Sequence, residues 1–295
     1  MKRLFQLIVM GLAGMTFAFG QQVIPLYPDG TIPFAKQGGE TPVLTWYKPA
    51  QATTDISVIV CSGGSYGGRA NDWEVIPACK LLNAAGINAF LLDYRLPRTR
   101  YMDQKEWVPL TDAQKAILLL RRNAEKYGVH PDKLGIMGFS AGGHLVTTVE
   151  THFKQTKLSG AGDISLRPDF VVAVYPVVSM GDSITHHGSR QNLLGPDITA
   201  EKIRTFSNDL QVSSETPATF IIAAIDDDVV PIQNSLLLEA ALRQHRVPVE
   251  MFLYAKGGHG FGVDHLKNVA VRWTEPCFRW IKSAIWQKKG ESKRE

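Results

Sequence analysis

The stretch Leu134-Gly135-Ile136-Met137-Gly138-Phe139-Ser140-Ala141-Gly142-Gly143-His144-Leu145 decides how the rest of the chain is read. An apolar run opens it, Gly138-Phe139-Ser140-Ala141-Gly142 spells G-x-S-x-G, and residues of helical period follow. A serine hydroxyl is a poor nucleophile. It must be held on a tight strand-to-helix turn and exposed to a base, and small neighbours let the backbone make that turn. The five residues alone recur by chance. They gain force only if a strand, a helix and catalytic partners surround them in the right order.

Outward from Ser140, short Val- and Ile-rich runs alternate with longer stretches of helical period, the signature of β-α units and a parallel sheet. Strands are expected over 57–61, 88–92, 134–137, 170–175, 219–225 and 249–254. Helices are expected over 74–85, 109–127, from 141, over 231–245 and beyond His265, the last bent near Pro276. Asp112 is expected in the first turn of its helix, where a carboxylate suits the dipole. The fold class is α/β, with a mostly parallel central sheet and helices on both faces.

The partners of Ser140 fall downstream in the order acid, then base. Asp226-Asp227-Asp228-Val229-Val230-Pro231 directly follows the strand over 219–225, and Asp227 is the preferred acid, with Asp226 the alternative. Gly257-Gly258-His259-Gly260-Phe261-Gly262 follows the strand over 249–254. His259 would take the Ser140 proton and return it to the leaving group, while a buried carboxylate fixes its tautomer. His130, His144 and His265 read as structural. Ser62-Gly63-Gly64-Ser65-Tyr66-Gly67-Gly68, after the strand over 57–61, is placed to offer backbone N–H groups of Gly64 and Ser65 beside that of Ala141 to a developing oxyanion.

Rival readings of these segments are weaker. The glycine run lacks the Lys-Ser/Thr ending of a phosphate-binding loop. Consecutive aspartates point in different directions and match no calcium-loop spacing. Gly181-Asp182-Ser183 resembles the nucleophile block of another esterase class, but no aspartate here has a histidine three positions on. Neither metal nor organic cofactor is expected.

Composition bounds the remaining choices. With 44% apolar and 20% charged residues, a chain of 295 can bury one full core. Of its net +4 charge, two belong to Lys2 and Arg3 and a net two to the tail after Gln287, which leaves a neutral body and no basic stripe for nucleic acid. Three cysteines allow at most one disulfide, and Cys61 reads as a small core hydrophobe. Residues 1–20, with a basic start, an apolar run and an Ala18-Phe19-Gly20 exit, are expected to be a signal peptide. A catalytic domain over 21–287 and a polar tail over 288–295 complete the division, with periplasmic or secreted localisation and no stable membrane insertion after signal removal.

The run from Asp132 to Leu145 resembles bacterial α/β-hydrolase esterases related to acetylxylan and feruloyl esterases. So do Asp93-Tyr94-Arg95-Leu96, the run from Thr185 to Gly195, and Gly257 to Gly262. The resemblance extends from about Pro42 to Trp286. Members often carry the misleading name endo-1,4-beta-xylanase B, yet no carboxylate-pair glycosidase logic is visible here. Relatives tend to have Pro-Gly-Gly-Gly-Tyr where this chain has Ser62-Gly63-Gly64-Ser65-Tyr66, a change that backbone donors survive.

The resemblance implies the α/β-hydrolase fold and removal of acetyl or other short acyl groups from xylan or its oligosaccharides, with an acylated carbohydrate or small ester as the binding partner. Tyr66 and Trp73 either stack on a sugar or wall the acyl pocket, or serve as core aromatics; His187 joins them as a substrate-binding candidate. The segment from Gly181 to Glu215 is expected at the mouth of the site. A general small-ester carboxylesterase is the alternative within the class. A non-catalytic carbohydrate-binding protein on the same fold is the alternative outside it.

Overall fold

β-Branched and aromatic runs bounded by glycine and proline form strands, and the longer amphipathic stretches between them form helices. The computed structural model describes residues 21–263 and 272–283. The expected signal peptide, His265 and the expected tail lie outside the described residues. In chain order the elements are β1 (Gln21–Pro25), β2 (Val43–Tyr47), β3 (Ser57–Cys61), α1 (Ile76–Ala84), β4 (Asn88–Asp93), α2 (Val108–Arg122), α3 (Ala124–Tyr127), β5 (Leu134–Phe139) and α4 (Ala141–His152). There follow β6 (Phe170–Val174), α5 (His187–Leu194), α6 (Ala200–Phe206), β7 (Ala218–Ala224), α7 (Gln233–Gln244), β8 (Val249–Tyr254) and α8 (Thr274–Ser283). A π-helical turn, Asn71–Val75, leads into α1, and 3-10 turns occupy Lys105–Trp107 and Asn208–Gln211.

One sheet runs in the order β1-β2-β4-β3-β5-β6-β7-β8. The strands β3 to β8 are parallel, while β2 lies antiparallel to β4 and β1 antiparallel to β2. From β3 the chain winds outward to β4, then crosses back over β3 to β5 and continues in the other direction. Such a reversal opens a crevice beyond the carboxyl ends of the strands on either side of it, here β3 and β5. The glycine-rich loop and Ser140 both start there.

Alternate residues of each inner strand feed two core layers. Ile59 and Cys61 pack with Ile117, Leu120, Leu145 and Val149 on the α2 and α4 side, whereas Val58 and Val60 pack with Ala78, Leu82, Trp280 and Ile281 on the α1 and α8 side. Removing one such side chain from water contributes about 1.5–3 kcal/mol. This two-sided burial is why the strands read as unbroken apolar runs. Cys61, Cys79 and Cys277 are buried free thiols in these layers. Among the described residues no helix is long and apolar enough to cross a membrane.

The structure departs from the sequence reading at its edges. Strands β1 and β2 were not expected: Gln-Gln-Val-Ile-Pro buries only Ile24, which pairs with Leu44, which in turn pairs with Leu92. The helix expected from Glu74 begins earlier, as the π turn, because Pro77 has no N–H to give to the Trp73 carbonyl. The helix expected over 109–127 breaks at Asn123. Pro276 produces no bend, since α8 starts at Thr274 and the first turn needs no N–H from it. Asp112 is the fifth residue of α2, and instead of meeting the dipole it is buried against Arg95 at 2.7 Å and the Tyr27 hydroxyl at 2.9 Å. Removing either charge would strand the other, a loss of about 3–5 kcal/mol.

Candidate active site

Ser140 stands at the turn between β5 and α4 with φ 53 and ψ −116, a conformation L-residues rarely adopt. Its neighbours make that turn possible. A Cβ on Gly138 would lie 2.1 Å from the Gly142 carbonyl oxygen, and one on Gly142 would lie 2.4 Å from that of Ser62. Both glycines of the motif are therefore demanded by backbone packed against backbone. The strain, on the order of 1–3 kcal/mol, is held by hydrogen bonds from Ser140 N to Val174 O and from Val177 N to Ser140 O.

Ser140 Oγ lies 2.9 Å from His259 Nε2, and His259 Nδ1 lies 2.7 Å from Asp227 Oδ2. A carboxylate only accepts, so Nδ1 carries the imidazole proton and Nε2 offers its lone pair to the serine hydroxyl. The other Asp227 oxygen accepts from the N–H groups of Val229 and Val230, at 3.0 and 2.8 Å, which fixes the carboxylate plane. Asp226 does a different job: its Oδ1 accepts from Gly257 N and Gly258 N, pinning the start of the histidine loop. Those two bonds, the one from Gly258 first, hold its carboxyl below the usual range. Asp228 is exposed. The edge of the Tyr175 ring supports the His259 ring, with centroids 4.9 Å apart.

The loop after β3 closes on itself through Gly67 N and Gly68 N, both donating to Gly64 O, and Ala70 N donating to Gly63 O. Asn192 Nδ2 of α5 donates to Ser65 O. Among the described residues, the N–H groups of Gly64 and Ser65 meet no acceptor, and that of Ala141, first residue of α4, has none within its helix. Ser65 and Tyr66 both hold positive φ. Tyr66 does not present its ring to a ligand, contrary to its reading as a substrate-binding residue. It is 2% exposed, and its hydroxyl meets His144 Nδ1 at 2.8 Å. His144 Nε2 in turn faces the Phe206 carbonyl at 2.8 Å, so Nε2 donates and Nδ1 accepts from Tyr66. Burial pushes the His144 pKa down to about 4, which keeps the ring neutral and this chain intact.

At the rim, Trp73 is 58% exposed, and its carbonyl abuts Gly262 of the histidine loop. His187 is exposed, with Nδ1 3.4 Å from Arg190. Its neighbour His186 is half-buried. His186 caps α5 by accepting the Ser189 N–H on Nδ1, and it lies within electrostatic range of His259 and Asp227. Burial, and then the His259 charge, hold its pKa below the usual value, and among the described residues its Nε2 meets no partner. The sequence signal that distinguishes His186 from its neighbour is the capping pattern His-x-x-Ser. Ser183 is exposed, and Asp182 beside it pairs with Arg190. The segment from Gly181 to Glu215 is helical in part, as α5 and α6, and reaches the site through Asn192.

The chain is 36% identical to a solved structure described as an acetyl ester-xyloside bifunctional hydrolase from Caldicellulosiruptor lactoaceticus, with a TM-score of 0.81 over 89% of this chain and 96% of that one. It is 37% identical over 208 residues to a protein named endo-1,4-beta-xylanase B from Butyrivibrio fibrisolvens, covering 70% of this chain and 32% of that one. It is 31% identical over 231 residues to an acetylxylan esterase from Xylanibacter ruminicola, covering 77% and 45%. The chain thus spans less than half the length of these two curated relatives. A carboxylesterase from Lactobacillus plantarum, 22% identical with a TM-score of 0.68 over 85% of this chain and 96% of that one, shares the fold. The BD-FAE profile matches residues 44–242, more than half of the chain, which therefore belongs to the BD-FAE family of α/β hydrolases.

Proposed function

We propose that the protein is a serine carboxylic-ester hydrolase that removes acetyl or other short acyl groups from xylan or xylo-oligosaccharides. The observation that carries this reading is the continuous hydrogen-bonded line Asp227–His259–Ser140, ending beside three backbone N–H groups with no acceptor among the described residues. In the mechanism, His259 Nε2 takes the Ser140 proton as Oγ attacks the ester carbonyl. Gly64, Ser65 and Ala141 N–H groups hold the oxyanion, each such donor contributing on the order of 10²- to 10³-fold in rate. His259 then protonates the departing alcohol. Water, deprotonated by the same nitrogen, attacks the acyl-enzyme and releases the acid and free Ser140. Asp227 stabilises the imidazolium in both halves.

The choice of substrate is supported by the relatives' names and by exposed Trp73, whose indole can stack on a sugar ring at the rim. The basic start and apolar run of residues 1–20 support export to the periplasm or medium. The test is acetate release from acetylated xylo-oligosaccharides by the full chain, beside a Ser140→Ala variant and 4-nitrophenyl acetate. Release that falls by roughly 10⁴-fold or more in the variant is expected. Hydrolysis of the nitrophenyl ester alone would move the substrate to small esters. Inactivity on both would sink the enzymatic reading in favour of a carbohydrate-binding protein.

A further inference from the structure

Glu74 belongs to the π-helical turn that precedes α1, and that turn places two neighbours in opposite surroundings. Trp73 points to solvent, while Glu74 is 2% exposed. An acidic residue near a helix start ordinarily sits in water, where it complements the dipole at little cost. Burying a carboxyl away from any cation is expensive, and among the described residues Glu74 forms no ion pair. Burial pushes its pKa up to about 7, against the opposing pull of its hydrogen bonds. Groups kept buried at such a cost concentrate where function needs them.

Its contacts show what is gained. Glu74 Oε2 accepts from Gly63 N at 2.7 Å, at the base of the oxyanion loop. Glu74 Oε1 accepts from the Tyr175 hydroxyl at 3.0 Å. The same hydroxyl oxygen accepts from Gly262 N at 3.1 Å, in the histidine loop, and the Tyr175 ring lies against His259. A Cβ built on Gly63 would be 2.9 Å from both Glu74 Oε2 and Ser140 Cβ, so the carboxyl and Ser140 both close on the Gly63 backbone. Tyr175 itself holds φ 36, an unfavourable conformation retained in a residue that joins these parts.

We infer that Glu74 is a positioning residue that, through Tyr175, locks the oxyanion loop and the His259 loop at a fixed separation across Ser140. The inference rests on the acyl-enzyme reading above. The donors at Gly64 and Ser65 follow Gly63 directly, so their placement depends on where the Gly63 N–H is held. His259 is placed from the other end of the same link. Misplacement of reacting groups by about 1 Å costs about 10²-fold in rate while leaving substrate affinity nearly intact. A carboxyl that served only packing would affect stability and not the partition between kcat and KM.

The test is steady-state hydrolysis of 4-nitrophenyl acetate by the full chain and its Glu74→Gln, Tyr175→Phe, double and Ser140→Ala variants, with thermal melts alongside. Glu74→Gln keeps the volume, and Tyr175→Phe breaks the link without touching the carboxyl, so a folding failure in one leaves the other to decide. Each single variant is expected to lower kcat roughly 10- to 100-fold with KM within about 3-fold. The double variant should fall no more than about 3-fold below the weaker single, because both break one link. An unchanged kcat in either folded variant, a loss expressed only in KM, or losses that multiply would overturn the inference. An inactive Ser140→Ala beside unchanged Glu74→Gln kinetics removes this link alone, whereas activity surviving in Ser140→Ala overturns the acyl-enzyme reading and the inference together.

Discussion

The two loops that meet at Ser140 are held by different sets of anchors. On the oxyanion side the anchors are buried: Tyr66 and Glu74 are 2% exposed and His144 is fully buried, and each spans from the loop to another element. On the base side a partly exposed carboxylate, Asp226, holds the start of a loop in which Gly258, Gly260 and Gly262 all take positive φ, while the buried Tyr175 hydroxyl and Trp273 indole hold its end at Gly262. The difference follows from the tasks. Oxyanion donors stabilise charge only if they are aimed before it develops, since reorganising them during the reaction would consume the gain. A general base needs its reacting nitrogen held within reach of the serine, the leaving group and water in turn. Asp227 supplies the fixed point from the loop after β7, with 2% of its side chain exposed.

The strongest way to break this contrast is Asp227→Asn, which is expected to lower kcat about 10⁴-fold by favouring the wrong imidazole tautomer, with little change in melting temperature. Retention of more than a tenth of the activity would mean that the base side does not depend on that carboxylate. A second test reads the buried side through stability. The folded pKa of Glu74 is raised to about 7, so between its ordinary value near 4.5 and 7 the folded state binds the extra proton, and stability falls as pH rises. Glu74→Gln removes that fall: relative to wild type it should gain on the order of 3 kcal/mol between pH 4.5 and 7.5 in denaturant titrations. A difference independent of pH would show that the carboxyl does not titrate there. The smallest effects compare one anchor from each side. Tyr66→Phe leaves buried His144 Nδ1 without its donor and should cost roughly 1–2 kcal/mol and about 10-fold in kcat. Asp226→Asn, at the surface, should change kcat by less than about 5-fold. The reverse order would invert the contrast.

Much of the site was readable because its chemistry is local. Ser140 and the aspartate pair lie at the ends of apolar strands and His259 in the loop after β8, and the order in the chain is the order the fold imposes. What could not be read were partners brought in by distant segments. Tyr66 sits in a glycine loop and looks available to a ligand, but α4 and the carbonyl of Phe206 in α6 bury it through His144. Glu74 reads as one more acidic residue near a helix start, and only the return of Tyr175 from β6 gives its carboxyl a second partner. Asp112 was expected to serve its own helix, but Arg95, beyond β4, claims it. β1 is too polar to announce itself, and it exists because β2 offers an unpaired edge.

The sequence by itself determined the alternation of strands and helices, the strand-to-helix turn at Ser140 and the chain order of Asp226, Asp227 and His259 after it, because these depend on hydrophobic period and backbone sterics. It narrowed the acid to two neighbours. Only the tertiary structure decided between them, since adjacent carboxylates leave the backbone in different directions: Asp227 turns to His259 and Asp226 to the loop that carries it. Tertiary contact also decided which aromatic is exposed. Those outcomes depend on burial and on hydrogen-bond partners many residues away, a property of the packed chain that no short stretch of sequence contains.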